Sequence, residues 1–465
     1  MVFSSLTFLF AFLPVTLLGY RLLPKKLRIG FLLLASLFFY AWGEPLYVFL
    51  MIGSILINWL LGFRVAGDGP HRKAFLALSV ALNLLLLLIF KYTGLIWDTV
   101  KGLFPAPLSE RTVAIRLPIG ISFFTFQIMS YVIDVYRGKA QAQKSPVLFG
   151  AYVSMFPQLI AGPIVRYVDI EEQLDKPDLS LDSFARGVGL FVVGLGKKVL
   201  LANGVAVLWR ELSAAPGKTG ILGAWVGLAA YTFQIYFDFS GYSDMACGLG
   251  RMLGFRFVEN FHYPYVAESV TDFWRRWHIS LSTWFREYVY IPLGGNRRGL
   301  SRQIVNLLIV WMLTGLWHGA SWNFLLWGLY YGVLLILEKL FFGKVLEKLP
   351  KLLRRLLTFI VAALGWGIFY FTDFGALGTF FVSLVGVGDP GLFSPEAWAW
   401  TLGYLPLLII CALAATPLGA TVNAKLEAKG AWWPWVRLVL GAALFLLCLG
   451  ALASQSYNPF IYFRF

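Results

Sequence analysis

The chain is short of charge. Only 14% of its 465 residues are Asp, Glu, Lys or Arg, whereas 59% are hydrophobic. A soluble protein of this length needs more polar surface than this composition provides, so the soluble globular class is excluded. Apolar runs of about twenty residues recur along the chain, and such runs cross the ~30 Å hydrocarbon core of a lipid bilayer as helices. Because open strand edges find no hydrogen-bond partners in lipid, we predict an all-α polytopic membrane protein.

Cysteine and histidine are also scarce, with three and four copies. Three cysteines cannot form a fully paired disulfide framework, and Cys411 and Cys448 lie within apolar runs, as small buried hydrophobic residues do. The chain has no Cys-x-x-Cys or His-Glu-x-x-His spacing, so we predict no metal site and no permanently bound cofactor. A haem held by two histidines is an alternative for His318, but His278 lies on the wrong kind of segment for it.

Positive charges outnumber negative ones, and the formal net charge is +15. Nucleic acid is not expected as a partner, because the basic residues cluster in short loops between apolar runs, as the positive-inside rule requires. No basic residue precedes Arg21, so we expect a retained first helix with its N-terminus outside rather than a cleaved signal peptide. On that topology the main basic clusters are cytoplasmic: 21–28, 64–73, 137–144 and 344–355.

Twelve segments are apolar enough for transmembrane helices, which predicts eleven or twelve crossings and one membrane-embedded domain over residues 1–465. A further apolar segment, 146–165, is interrupted by Pro157, Gly162 and Pro163, so we predict a re-entrant or broken element whose backbone groups are satisfied by protein or water. The predicted spans are 3–20, 29–42, 46–63, 75–96, 117–136, 185–209, 220–240, 303–320, 322–342, 356–374, 399–415 and 435–452.

Residues 255–302 are too charged to cross the membrane but are rich in aromatic side chains. We predict one amphipathic helix at the cytoplasmic interface or packed against the helical bundle. Thr271 or Asp272 is expected to cap its start, and Pro292 with the two glycines after it to end it. Its apolar face follows helical steps of three and four: Phe273, Trp277, Leu281, Trp284 and Tyr288.

Two of the four histidines are candidates for chemistry. His318 lies in TGLWHGASWNFLLWG, within a stretch, 304–337, that has no Asp, Glu, Lys or Arg. An ionisable side chain in a membrane is costly and usually marks a site, although a hydrogen bond for packing alone is the alternative. His278 lies beside the aromatic face of the charged helix, which is expected to pack it toward the bundle, and an interfacial imidazole hydrogen-bonded to a loop is its simpler interpretation. His71 is expected to be solvated in a basic loop, and His262 to be structural.

The segment QIYFDFSGYSDMACGLG gathers polar side chains at the end of a predicted span, which indicates a water-filled cavity. Asp238 and Asp244 are expected either to pair with Arg275 or Arg276 or to orient an imidazole. Cys247 could carry an acyl group as a nucleophile, but nothing near it in the sequence indicates an activated thiol.

At these motifs the chain resembles the membrane-bound O-acyltransferase (MBOAT) superfamily. The stretch FWRRWHISLSTWFREYVYIPLGGNRRG, followed by TGLWHGASWNFLLWGLYYG, is similar to the core of that superfamily and, within it, to the branch of alginate O-acetyltransferase membrane subunits. The opening MVFSSLTFLFAFLP, the segment YFDFSGYSDMACGLGRMLGF and the terminal NPFIYFRF resemble the same branch. The resemblance therefore runs along the whole chain.

The resemblance implies a ring of tilted helices around a thinned centre and acyl transfer across the membrane. It implies that His318, in the hairpin 303–342, is the catalytic histidine and that His278 is a second site residue. The donor is then a cytosolic thioester, with acetyl-CoA as co-substrate. The acceptor is an extracytoplasmic polysaccharide such as alginate, reached directly or through an SGNH-type (Ser/Gly/Asn/His) acetyltransferase partner. The protein is expected in the bacterial inner membrane as a multi-pass protein.

In such a reaction a neutral imidazole at His318 accepts the proton of the attacking hydroxyl, which is typically worth ~10²–10⁴-fold in rate. Desolvation favours that neutral form. Asn323 or Trp322 could donate a hydrogen bond to the developing oxyanion. Four arginines could bind the phosphates of acetyl-CoA at the cytoplasmic mouth, although positive-inside anchoring explains them equally well: Arg275, Arg276, Arg297 and Arg298.

Two other functions stay open. D-alanyl transfer to teichoic acid, from an acyl carrier protein, shares much of the motif pattern. A polytopic transporter that moves its substrate without acylating it belongs to another class, and the sequence shows no inverted repeat with matched broken helices to favour it. A neighbouring gene for a carrier protein, or for an SGNH-type acetyltransferase, would discriminate between the two acyl transfers.

Overall fold

A computed structural model of the chain describes residues 1–104, 115–214, 217–387, 391–430, 432–454 and 460–461. Over these residues the regular elements are helices, which confirms the all-α prediction, and the β-structure is one isolated bridge between Phe261 and Trp277. Eight described helices are long and apolar enough to cross a membrane: Tyr47–Ala66, Arg72–Leu103, Leu181–Ser213, Leu300–His318, Trp322–Leu346, Lys351–Tyr370, Pro395–Ala414 and Trp433–Ser454.

The other four predicted spans fall on helices that lack this length or apolarity. These four are Phe8–Leu22, Lys25–Ala41, Ile121–Tyr136 and Ile221–Met252. Further helices are Pro146–Ser154, Phe156–Leu159, Tyr167–Asp175, Val270–Arg276, Ile279–Phe285, Phe374–Leu384 and Leu418–Glu427. The chain is therefore a multi-pass membrane protein, and eight of its twelve predicted spans are matched by helices of spanning length.

Packing divides the chain into two compact units. The first comprises Met1–Phe191 with Ser243–Glu259, and the second comprises Val192–Tyr242 with Asn260–Phe465. The single domain over residues 1–465 stays a prediction. Both candidate histidines belong to the second unit.

The first unit contains the predicted broken element. Met155 follows the end of helix Pro146–Ser154, and the short helix Phe156–Leu159 begins directly after it. The backbone N–H of Phe156 donates to Ser36 Oγ at 3.2 Å, and residues 149–165 are buried. The prediction of a break is confirmed, and surrounding protein satisfies a backbone group that the break frees.

The second unit contains the histidine hairpin, formed by Leu300–His318 and Trp322–Leu346. These two helices pack closely because glycines face the partner backbone. A Cβ placed on Gly315 would lie 2.2 Å from the carbonyl oxygen of Phe324, and one placed on Gly328 would lie 2.3 Å from that of Trp311. No other residue type fits at these two positions without separating the helices.

We expect Gly315→Ala to lower the thermal stability of the purified protein in detergent. The added methyl group would collide with the Phe324 carbonyl, and overpacking of this kind typically costs ~1–3 kcal/mol. A matched control is Gly441→Ala in Trp433–Ser454, where a Cβ meets nothing within 4 Å. That variant should melt at or above the wild-type temperature, because alanine favours helix. A wild-type melting temperature for Gly315→Ala would contradict the close packing.

The prediction of one continuous amphipathic helix is wrong. The chain forms two short helices, Val270–Arg276 and Ile279–Phe285, separated by Trp277 in an extended conformation and by His278. The predicted cap is also wrong, since Ser269 Oγ accepts a hydrogen bond from the N–H of Asp272. The helix breaks because residues before it pair with its centre.

Two backbone hydrogen bonds carry that pairing. The N–H of His262 donates to the carbonyl of Arg276 at 2.9 Å, and the N–H of Ile279 donates to that of Asn260 at 3.0 Å. The five residues of the predicted apolar face are buried in the second unit, as expected for a segment packed against the helical bundle: Phe273, Trp277, Leu281, Trp284 and Tyr288.

Candidate active site

His318 is the last residue of helix Leu300–His318, and it is only 6% exposed. The chain leaves the helix through Gly319, whose backbone is extended, and re-enters the next helix at Trp322. Three aromatic rings surround the imidazole, with centroid distances of 5.0–5.3 Å: Trp317, Trp327 and Phe369. The helix end therefore places an ionisable ring among aromatic side chains, and this aromatic cluster around His318 is called the histidine chamber below.

His278 lies at the break between the two short helices and is 1% exposed. Its φ of +46° is in the left-handed region, which a non-glycine residue adopts at a cost of about 1–3 kcal/mol unless its surroundings fix it. The ring of Phe239, from helix Ile221–Met252, packs edge-on against the imidazole with 4.7 Å between centroids. Strained backbone of this kind is concentrated at functional sites.

The structure brings the two histidines together although forty positions of sequence separate them. Their ring centroids are 6.4 Å apart, and Trp317 packs against both rings. Two imidazoles at this distance are close enough to act on one substrate group. The sequence expected His278 to pack toward the bundle from an interfacial helix, and did not identify a chamber shared with His318.

Asn260 holds the His278 ring. Its side-chain oxygen Oδ1 lies 3.3 Å from His278 Nδ1 and accepts hydrogen bonds from Ser280 Oγ and from the Ser280 N–H. His278 lies outside the helices of spanning length, and the surrounding protein shields its ring from water. Burial lowers the pKa of this imidazole to about 3, so the ring is neutral near pH 7.

The structure does not support Asn323 as a donor to the oxyanion. Its amide nitrogen already donates to the carbonyl oxygens of Ile368 and Phe369, at 3.3 and 3.0 Å, and joins two helices. Trp322 is 50% exposed at the start of its helix. By contrast, the indole N–H of Trp327 is buried beside His318 and finds no acceptor within the described part of the chain.

The four predicted arginines do not line this chamber. Arg275, Arg297 and Arg298 are exposed, and Arg276 is half-buried in an ion pair with Asp272 at 2.8 Å. Their role in binding phosphate stays a prediction. Exposure at least leaves three guanidinium groups accessible to a donor.

The expected pairing of Asp238 with an arginine is wrong. Asp238 pairs with Lys198 at 2.5 Å, and both side chains are 3% exposed. Lys198 Nζ also donates to Asn203 Oδ1 at 3.0 Å, while the other oxygen of Asp238 accepts from the backbone N–H of Ile461 at 2.7 Å. The sequence analysis missed Lys198, although a lysine within an apolar span is itself a signal.

Asp238 also connects this ion pair to the histidine chamber. It precedes Phe239, the residue whose ring packs against His278. Tyr242 belongs to the same helix as Asp238, and the ring of Phe460 packs against it with 4.6 Å between centroids. Phe460, near the end of the chain, therefore lies against this part of helix Ile221–Met252. Within the polar cluster predicted in QIYFDFSGYSDMACGLG, Asp238 is therefore a buried residue that binds Lys198 and the backbone of Ile461.

The remaining candidates lie in the first unit. Asp244 is half-buried there, and the buried thiol of Cys247 contacts the carbonyl of Val258 at 3.8 Å. Across the described ranges, no group of three His, Cys, Asp or Glu side chains is arranged to hold a metal ion. The absence of a metal or bound cofactor stays a prediction.

Comparison with known proteins reveals a family and full-length relatives. The membrane-bound O-acyltransferase family model matches residues 78–374. Over 490 aligned residues covering all of both chains, the chain is 38% identical to the probable alginate O-acetylase of Pseudomonas putida. It is 32% identical to the peptidoglycan O-acetyltransferase of Helicobacter pylori, over 100% of this chain and 98% of that protein. The teichoic acid D-alanyltransferase of Bacillus subtilis is 28% identical over 54% of this chain and 68% of its own.

Proposed function

Because the chain belongs to the membrane-bound O-acyltransferase family, we propose that it transfers acetyl groups from a thioester to a polysaccharide. The chain is an acyltransferase. The relatives support acetyl over D-alanyl, since the two named for O-acetylation align with the whole chain and the D-alanyltransferase with 54% of it. An acetylated polysaccharide such as alginate or a peptidoglycan glycan is the acceptor class that their names suggest.

The observation that carries the proposal is the buried pair of imidazoles. His318 and His278 lie 6.4 Å apart between ring centroids, enclosed by aromatic rings and almost without solvent contact. Acyl transfer to a hydroxyl needs a proton acceptor and the exclusion of water, because water would otherwise hydrolyse the thioester. A neutral imidazole in an aromatic chamber provides both.

In the proposed reaction the acceptor hydroxyl attacks the carbonyl carbon of the acetyl thioester while His318 accepts the hydroxyl proton. A C–O bond forms and the C–S bond breaks. The imidazolium at His318 then gives its proton to the leaving thiolate, so the enzyme returns to its starting state and the products are an acetyl ester and a free thiol. General-base help of this kind is typically worth ~10²–10⁴-fold.

Negative charge develops on the carbonyl oxygen during the attack, and a buried donor would stabilise it. We assign this role to the indole N–H of Trp327 in place of Asn323. The Trp327 ring lies 5.0 Å from the His318 ring, and its N–H has no acceptor in the regions that the structure describes. An unpaired buried donor costs free energy in the resting protein and becomes useful once the oxyanion forms.

The donor is proposed to be acetyl-CoA approaching from the cytoplasm of a bacterium. Arg275, Arg297 and Arg298 are exposed and can match the geometry of its phosphates. The acceptor is proposed to lie beyond the inner membrane, either as the polysaccharide itself or as the hydroxyl of an SGNH-type acetyltransferase that passes the group on. A reacting group within the membrane lets two substrates on opposite sides meet.

Purified protein in proteoliposomes tests this proposal. Radiolabelled acetyl-CoA is supplied as donor and alginate oligosaccharides as acceptor, with and without an SGNH-type acetyltransferase. A parallel reaction contains D-alanyl-loaded carrier protein. We expect labelled acetyl esters and no D-alanyl esters. Transfer of D-alanine without transfer of acetyl would contradict the choice of donor.

A further inference from the structure

We propose that Asn260 is a positioning residue that fixes the tautomer of His278, with the proton on Nδ1 and the lone pair on Nε2. His278 then acts in the site only as a hydrogen-bond acceptor, and through Nε2 it holds a donor group of the acceptor molecule other than the hydroxyl whose proton His318 takes. The tautomer follows from geometry alone, whereas the role of Nε2 rests on the proposed function. Asn260 is outside every motif that the sequence analysis identified.

The orientation of the Asn260 amide is determined by an unambiguous donor. A backbone N–H can only donate, and the N–H of Ser280 points at Asn260 Oδ1 from 3.1 Å. The amide therefore presents its oxygen, and not its NH₂ group, to this side. Ser280 Oγ donates to the same oxygen at 2.8 Å, which agrees with this orientation.

The same oxygen lies 3.3 Å from His278 Nδ1. Since Asn260 Oδ1 can only accept, the neutral ring must carry its proton on Nδ1 to make this bond. The basic lone pair is then on Nε2, on the other side of the ring. The arrangement is buried, with Asn260, His278 and Ser280 each under 5% exposed, so water does not compete for the bond.

Asn260 also supports the strained backbone of His278. Its carbonyl oxygen accepts from the N–H of Ile279, while its side chain binds the residue after that. These bonds on the far side of His278 keep its φ at +46°. One residue thus sets both the position and the protonation pattern of the ring, which is how buried partners orient catalytic histidines in other sites.

Protein labelled with ¹⁵N-histidine tests the tautomer without any reference to activity. The chain has four histidines, and the signals of His278 are assigned by their loss in His278→Gln. We expect a protonated Nδ1 and an unprotonated Nε2 in the wild type. Ser280→Ala is the matched control, because it keeps the Ser280 N–H and should leave both signals unchanged. An unprotonated Nδ1 in the wild type would overturn the proposal.

Acetyl transfer by two variants tests the positioning role. Asn260→Asp keeps an accepting oxygen and should retain most of the transfer rate and the protonated Nδ1 signal. Asn260→Leu should lose about 10- to 100-fold in rate and show a mixture of tautomers. Wild-type rate and signals in Asn260→Leu would overturn the proposal. If Asn260→Leu does not fold, the proposal is tested by the wild-type Nδ1 signal and by the transfer rate of Asn260→Asp. A protonated Nδ1 in a wild type that transfers no acetyl would refute the proposed function and leave the tautomer standing.

Discussion

His318→Asn is expected to slow acetyl transfer by ~10²–10⁴-fold, which corresponds to roughly 3–6 kcal/mol of activation free energy. Asparagine is close in size to histidine and can donate hydrogen bonds, but it cannot accept a proton near neutral pH. His318→Ala should lose as much. The measurement is the initial rate of transfer, taken together with donor affinity in the same detergent preparation.

Both variants should insert and purify as monodisperse protein, since His318 is the last residue of its helix and the glycine contacts hold the hairpin together. His262→Asn makes the same chemical change at an exposed histidine outside the chamber, and should keep near-normal activity. Near-normal transfer by His318→Asn would refute the assignment of the base. Loss of donor binding together with transfer would instead make His318 a binding residue.

Asp238→Ala is expected to lower the free energy of unfolding by about 3–5 kcal/mol. The change removes the carboxylate that pairs with the buried ammonium of Lys198, and it removes the acceptor of the Ile461 N–H. Both partners are 3% exposed, so water cannot replace the lost contact. Thermal unfolding of the purified protein in detergent measures the effect.

Two control variants separate a buried ion pair from any other role of the site. Replacing both partners, as Lys198→Met with Asp238→Leu, should recover most of the stability, because an apolar pair needs no counter-charge. Asp182→Ala removes the exposed partner of Arg186 and should change stability by less than about 1 kcal/mol. A wild-type melting temperature for Asp238→Ala would contradict the buried pair.

The sequence predicts those features that depend on local composition. Long apolar runs give the spanning helices because lipid leaves the backbone no other partner. Pro157, Gly162 and Pro163 reveal the break in the first unit, and the lack of charge around His318 marks it as a candidate. Each of these signals lies within one continuous stretch of the sequence, so local composition is enough to predict its outcome.

The features that the sequence does not predict depend on contacts between segments. Apolar periodicity over 273–288 describes one helical face, but two short helices around an extended residue preserve nearly the same spacing. The bonds that break the helix come from Asn260 and His262, which periodicity within the helix cannot detect. Likewise, Asp238 pairs with Lys198 and not with the predicted arginines, because Lys198 is buried beside it, whereas Arg275 is exposed and Arg276 pairs with Asp272.

The most direct test of the account is the side of the membrane on which each substrate reacts. Inside-out vesicles containing the protein receive radiolabelled acetyl-CoA on the outer, cytoplasmic face and hold the acceptor in their lumen. The account predicts that acetyl esters accumulate on the lumenal acceptor with the wild type, and that His318→Asn abolishes their accumulation. Acetyl esters found only on acceptor added to the same side as the donor, or equal accumulation with His318→Asn, would contradict transmembrane transfer through the histidine chamber.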